Sequence, residues 1–265
     1  MNRIEKKFLE LKRKNKKAFI AFITAGYPSL AVTKNLILEL AKIGVDIIEL
    51  GVPFSDPLAD GLIIQEASQA ALEKKTNINN ILSLARQVRK YIDTPIALMT
   101  YYNPIFCFGE ERFAKEASSA GVDGIIIPDL PPEEGRPFIR LANRFNLDTI
   151  FFLSPTSTHR RIKLISAASK GFIYYVSLTG VTGPRHNLPS GLLDNLKVIK
   201  KSTNKPVCVG FGISRPGQVK EIGKIADGVI VGSAIMKKIK ENIGRPDLVR
   251  RVGEFILALR GNSHL

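Results

Sequence analysis

Eight short apolar runs punctuate the chain, at residues 18–24, 45–50, 95–100, 124–128, 148–153, 172–177, 206–209 and 228–231. Each is nearly continuous in apolar side chains, the pattern of strands covered on both faces. Between them, apolar positions recur every three or four residues, which predicts amphipathic helices. Ile4, Phe8 and Leu11 mark the first, over residues 3–13. Ser29 can cap the second, and Gly44 stops it. A short helix carrying Ile63, Ile64, Ala67 and Ala70 follows Gly61, and further helices are predicted over 77–91, 110–120, 132–146, 158–168, 190–202 and 215–225. After the last strand the chain reads as helix to about residue 259. The segment 101–104 reads as a loop.

Every strand is thus followed by a helix. The simplest architecture is one closed parallel (β/α)8 barrel, a TIM barrel, spanning residues 1–265 as a single domain. It would carry an extra N-terminal helix and short extra helices after strands two and eight. An open doubly wound sheet competes, but it places a glycine-rich phosphate loop after its first strand. There this chain has Thr24-Ala25-Gly26-Tyr27-Pro28, with one glycine. A weak echo recurs between a helix and a strand at three places: Ile43-Gly44-Val45-Asp46, Ala120-Gly121-Val122-Asp123 and Ile225-Ala226-Asp227. Glycine as a helix stop explains the first two.

Charge narrows the partners. The net charge is +15, densest at residues 12–17, 160–163 and 237–240, all on or beside amphipathic helices. Such runs read as solvated faces, and their field would attract an anionic metabolite. No RNA-binding signature with interleaved aromatics accompanies them, so no nucleic-acid partner is expected. No apolar run reaches the roughly eighteen residues of a membrane helix, and the charged N-terminus lacks the apolar core of a signal peptide. A cytoplasmic protein without membrane contact is expected. Cys107 and Cys208 lie far apart, and His159, His186 and His264 do not cluster, so no metal site is expected.

In a barrel, chemistry gathers in the loops after the strands. After strand two the chain reads Glu49-Leu50-Gly51-Val52-Pro53-Phe54-Ser55-Asp56-Pro57-Leu58-Ala59-Asp60-Gly61. Glu49 stands inside an apolar run, where an ionised carboxylate is disfavoured. It is either a catalytic acid/base or a buried carboxylate held by a structural partner. Asp60 precedes a helix start and is either the second member of a catalytic pair or an N-cap. Asp56 and Asp129 could equally be turn residues. Gly180-Val181-Thr182-Gly183, Gly210-Phe211-Gly212 and Gly232-Ser233 follow strands six, seven and eight. Together they suit a phosphate monoester, because glycines let backbone N–H groups approach an anion near helix N-termini. Tyr174 and Tyr175 fall on opposite faces of strand six, one toward the barrel mouth and one toward the helices. The polar loop 178–189 is expected to close over substrate.

The segment from Glu49 to Gly61 closely resembles the signature of the tryptophan synthase α subunit family. The similarity continues through Phe22-Ile23-Thr24-Ala25-Gly26-Tyr27-Pro28, Tyr101-Tyr102-Asn103-Pro104, Pro128-Asp129-Leu130-Pro131, the glycine motifs and Val231-Gly232-Ser233-Ala234. It covers essentially the whole chain in order. The resemblance implies retro-aldol cleavage of indole-3-glycerol phosphate to indole and glyceraldehyde 3-phosphate. It implies Glu49 as proton shuttle and Asp60 as the carboxylate paired with the indole N–H. Tyr174 would stand near the substrate, Thr182 would meet the Asp60 loop, and Gly183, Gly212, Gly232 and Ser233 would hold the phosphate. Phe22, Thr100 and Phe211 would line the indole slot. It implies no metal or organic cofactor. It implies a pyridoxal-phosphate β subunit as partner in an α2β2 complex, touched through Asp56, Pro57, Asn103 and Pro131.

Three other readings stay open from the sequence. One is another barrel enzyme acting on a sugar or polyol phosphate. One is a basic binding protein on a barrel scaffold. The third keeps the lyase chemistry without a β partner.

Overall fold

The computed structural model describes residues 1–176, 191–210 and 212–261. Among them are nine strands: β1 Ala18–Thr24, β2 Ile47–Gly51, β3 Ile96–Met99, β4 Gly124–Ile126, β5 Asp148–Ile150, β6 Phe152–Leu153, β7 Ile173–Val176, β8 Val207–Gly210 and β9 Gly228–Val231. Twelve helices accompany them: α1 Arg3–Arg13, α2 Leu30–Lys42, α3 Leu62–Glu73, α4 Ile78–Val88, α5 Tyr102–Phe108, α6 Glu110–Ser119, α7 Arg136–Arg144, α8 His159–Ala168, α9 Leu192–Ser202, α10 Pro216–Gly223, α11 Ser233–Glu241 and α12 Leu248–Arg260.

All strand pairs are parallel, in the order β5-β4-β3-β2-β1-β9-β8-β7-β6. The ends of that order are two halves of the fifth predicted run, separated by Phe151. The first half pairs with β4 and the second with β7, so the sheet closes on itself through one strand. The stagger of strands around a barrel offsets where this strand meets its two neighbours along its length. The closed barrel replaces the open-sheet alternative.

The helix starts follow local chemistry. Ser29 accepts from the Val32 N–H as predicted, and Asn2 and Asn77 form capping boxes at α1 and α4. Several predicted boundaries differ. Residues 102–108 form α5 instead of a loop. Pro104 is its third residue, in the first turn, where a missing N–H breaks no intrahelical bond. Helix α7 begins at Arg136, because the N–H groups of Glu134 and Gly135 turn back to the Pro131 carbonyl. The predicted C-terminal helix is two helices, α11 and α12, parted by a turn containing Gly244 at φ +84°. The helix after strand two is a full 12 residues.

The structure supplies a role for the three echoed aspartates. Asp46 accepts from the Phe19 N–H at 2.8 Å, Asp123 from Ile96 at 2.9 Å and Asp227 from Val207 at 2.8 Å. Each carboxylate thus ties the start of one strand to the backbone of the strand before it. Below them α1 plugs the barrel floor. Ile4 is fully buried, Phe8 meets Phe172 at 5.8 Å between ring centroids, and the Asn2 amide donates to the Asp123 carbonyl at 2.9 Å. With the floor closed, the opposite, carboxyl-end face is left to the chemistry. No helix of the described residues is long and apolar enough to cross a membrane.

Candidate active site

A pocket opens at the carboxyl ends of the strands. Phe22 of β1, Glu49 of β2, Met99 of β3 and Tyr174 of β7 line it from the barrel wall. Asp60 and Ile64 close one side, and Gly212, Ile213, Gly232 and Ser233 the other. Phe22 and Glu49 are register partners, and Glu49 in turn faces Ala97, whose small side chain leaves room beside the carboxyl group.

Glu49 is fully buried, and among the described residues neither carboxyl oxygen has a hydrogen-bond partner. Burial, followed by the nearby charge of Asp60, pushes its pKa up to about 8. The structural-partner reading of Glu49 therefore finds no partner among the described residues. Asp60 is 7% exposed. Burial raises it to about 6, while the Tyr101 hydroxyl, donating to Oδ2 at 3.1 Å, works in the opposite direction. The N-cap reading of Asp60 fails, because Gly61 occupies the cap of α3. The Asp60 carbonyl is held instead by the Gln65 side chain at 2.8 Å. The pair can divide protonation near neutrality, with Glu49 keeping its proton where Asp60 has lost one.

Of the two tyrosines of β7, Tyr174 faces the pocket, its ring 4.7 Å from that of Phe152. Tyr175 is on the helix-facing side. Opposite the carboxylates, Gly232 caps the N-terminus of α11, and Ser233 is its first residue. Gly212 has φ +79°, a conformation that favours glycine. Backbone N–H groups and a helix N-terminus at this spot suit a phosphate. Thr100 does not line the pocket. Its hydroxyl donates to the Tyr101 carbonyl at 3.1 Å, and Met99 takes the lining position. Thr182, Gly183, Phe211 and the loop 178–189 lie outside the described residues.

The residues expected to touch a partner sit on the rim. Asp56 and Asn103 are exposed, and Pro57 and Pro131 are half-buried. Asp56 does build a turn, with its carbonyl accepting from the Leu58 N–H at 2.9 Å. Asp129 does more than turn the chain, since its carboxylate accepts from the Tyr102 N–H at 2.9 Å, at the start of α5. Tyr101 links the same point to the Asp60 loop. Three loops are thus joined into one rim, on which Leu58 is 86% and Phe106 66% exposed. Tyr101 carries no role in the sequence reading. Its position directly beyond strand three, on the active face, is the signal that could have marked it.

Known proteins are similar to this chain over nearly its whole length. The profile of the family described as "Tryptophan synthase alpha chain" matches residues 8–255. The chain belongs to the tryptophan synthase alpha chain family. It is 50% identical over 260 residues to the tryptophan synthase alpha chain of Geobacter sulfurreducens, covering 98% of both chains. Among solved structures, the tryptophan synthase alpha chain of Legionella pneumophila superposes with a TM-score of 0.90 at 38% identity, covering 98% of this chain and 96% of that one. A chain from the tryptophan synthase α2β2 complex of the hyperthermophile Pyrococcus furiosus matches with a TM-score of 0.86 at 38% identity, over 92% of this chain and 98% of that one.

Proposed function

We propose that this alpha chain cleaves indole-3-glycerol phosphate through Glu49 and Asp60. The observation that carries the reading is Glu49, fully buried and without a hydrogen-bond partner among the described residues, beside Asp60 and across the pocket from Gly232 and Ser233. The enzyme is a carbon–carbon lyase. In the reaction, the bond between indole C3 and the adjacent glycerol carbon breaks. C3 gains a proton, and the hydroxyl on that glycerol carbon loses one as it becomes the aldehyde.

Glu49 starts protonated at neutral pH and gives its proton to C3. The resulting carboxylate then takes the hydroxyl proton, which restores the resting state. Protonation at C3 puts positive charge on the ring nitrogen, and an ionised Asp60 stabilises it. Phe22, Met99 and Tyr174 enclose the ring, and Gly212, Gly232 and Ser233 hold the phosphate. The family resemblance adds Thr182, Gly183 and Phe211 to this set.

The rim of Asp56, Pro57, Asn103 and Pro131, with exposed Leu58 and Phe106, is the docking surface for a β subunit. The chain works as one barrel domain in the cytoplasm. Release of free indole from indole-3-glycerol phosphate tests the activity. Wild type releases indole and Glu49→Gln loses nearly all turnover, whereas normal turnover in the variant refutes the assignment. Co-purification with a β subunit, with a rise in turnover, tests the partner.

A further inference from the structure

We infer that Tyr101 is the positioning residue for Asp60, its hydroxyl holding that carboxylate aimed into the pocket. The inference rests on the reading of Asp60 as partner of the indole nitrogen.

Tyr101 is 4% exposed, and its ring lies 5.2 Å from that of Phe54 at an interplanar angle of 30°. Packing therefore fixes where the hydroxyl points. The hydroxyl donates to Asp60 Oδ2 at 3.1 Å and accepts from the Ala59 N–H at 2.8 Å. One oxygen thus grips two consecutive residues, one by backbone and one by side chain. The segment needs such a grip, because residues 52–61 contain neither helix nor strand. Turns shape it, among them the bond from the Asp60 N–H to the Pro57 carbonyl at 3.0 Å, with side-chain support from Tyr101 and Gln65. Among the described residues no other group donates a hydrogen bond to the Asp60 carboxylate.

The charges around this carboxylate make the hydroxyl matter. Glu49 faces it from β2 and Tyr174 from β7, and Asp129 approaches Tyr101 from the loop after β4. These are acids and phenols, and none supplies positive charge. Burial disfavours ionised Asp60, and the Tyr101 hydrogen bond favours it. Removing the hydroxyl should leave Asp60 ionised only at higher pH and free to turn away from the indole nitrogen.

Steady-state indole release by wild type and Tyr101→Phe, from about pH 5 to 9, tests this alongside thermal melts. Phenylalanine keeps the ring and its packing on Phe54. We expect melting within a few degrees of wild type and KM within about twofold. We expect kcat to fall about tenfold or more, the scale of one hydrogen bond to a charged group. The acid limb of the kcat profile should move up by about one pH unit. Tyr101→Leu, which also removes the ring, should melt lower as well. A Tyr101→Phe profile with wild-type kcat overturns the inference. So does a kcat loss that is uniform in pH, because a packing role would produce that. If wild type releases no indole, the functional reading falls and takes this inference with it. An active wild type with an unmoved acid limb sinks the inference alone.

Discussion

A Cβ atom placed on Gly210 would lie 2.5 Å from the Tyr174 hydroxyl oxygen and 2.6 Å from its ring. Tyr174 pairs across the ladder with Cys208, two residues before Gly210, so both project toward the same side of the sheet. The tyrosine therefore occupies the volume that a side chain at residue 210 would need. Gly210→Ala must push the Tyr174 ring into the pocket or spread the two strands. Overpacking of this kind costs about 1–3 kcal/mol. For a chain of this size that is a drop of about 5 °C in melting temperature, and turnover should fall with it. Adding Tyr174→Leu to Gly210→Ala should recover most of the melting temperature. Wild-type melting and turnover in Gly210→Ala alone would show that the contact is not tight.

The burial of Glu49 sets a sign for stability against pH. Its folded pKa of about 8 lies above the ordinary 4.5. Between those values the folded state keeps a proton that the unfolded chain has released. The stabilising contribution is therefore complete below about pH 4.5 and lost as pH rises to about 8. Asp60, raised from 3.8 to about 6, acts in the same direction over its own window. Glu49→Gln removes the ionisation and keeps the shape. The variant should melt higher than wild type at pH 8, by on the order of 4 kcal/mol of stability, with the difference vanishing toward pH 4.5. The proposed mechanism uses ionised Asp60 and protonated Glu49, so kcat/KM should be bell-shaped, with limbs at about 6 and about 8 belonging to the pair. Equal melting of Glu49→Gln and wild type at pH 8 would show that Glu49 carries no ionisation penalty in the fold.

The strands were legible because both faces of each are buried, which leaves an apolar run that polar alternation does not interrupt. The break at Phe151 was not, since it comes from how the closed sheet shares one strand between two neighbours. Helix α5 was hidden by its shortness and by Pro104, which signals a turn until the first-turn exemption is considered. Glu49 stood out as a charge among apolar residues, and its environment is as that anomaly suggested. Tyr101 stayed silent because its partners, Ala59 and Asp60, are more than forty residues away along the chain. Thr100 and Met99 are adjacent residues beyond and at the end of a strand. The resemblance named the first, whereas the register turns the second toward the pocket.

The aspartates at the barrel floor should differ in worth according to what else they hold. Asp123 is 2% exposed and accepts from Ile96. It also pairs with Arg89 at 3.2 Å and Arg3 at 3.1 Å. Arg89 is itself fixed by the carbonyls of Gly121, Ile92 and Thr94. Asp123→Ala leaves the Arg89 guanidinium half-enclosed without its counter-charge, a loss of about 3–5 kcal/mol for a buried pair. Asp46 accepts the Phe19 N–H and has no direct ion pair among the described residues, and burial already disfavours its charge. Asp46→Asn keeps an acceptor for that N–H and removes the buried charge. Asp123→Ala should lower the melting temperature by about 10 °C, whereas Asp46→Asn should change it by a degree or two. Both sit at the far end of the barrel from Glu49, so turnover per folded molecule should stay near wild type. A shift of only a degree or two for Asp123→Ala as well would mean that neither its backbone bond nor the Asp123–Arg89 pair carries the strength of the floor.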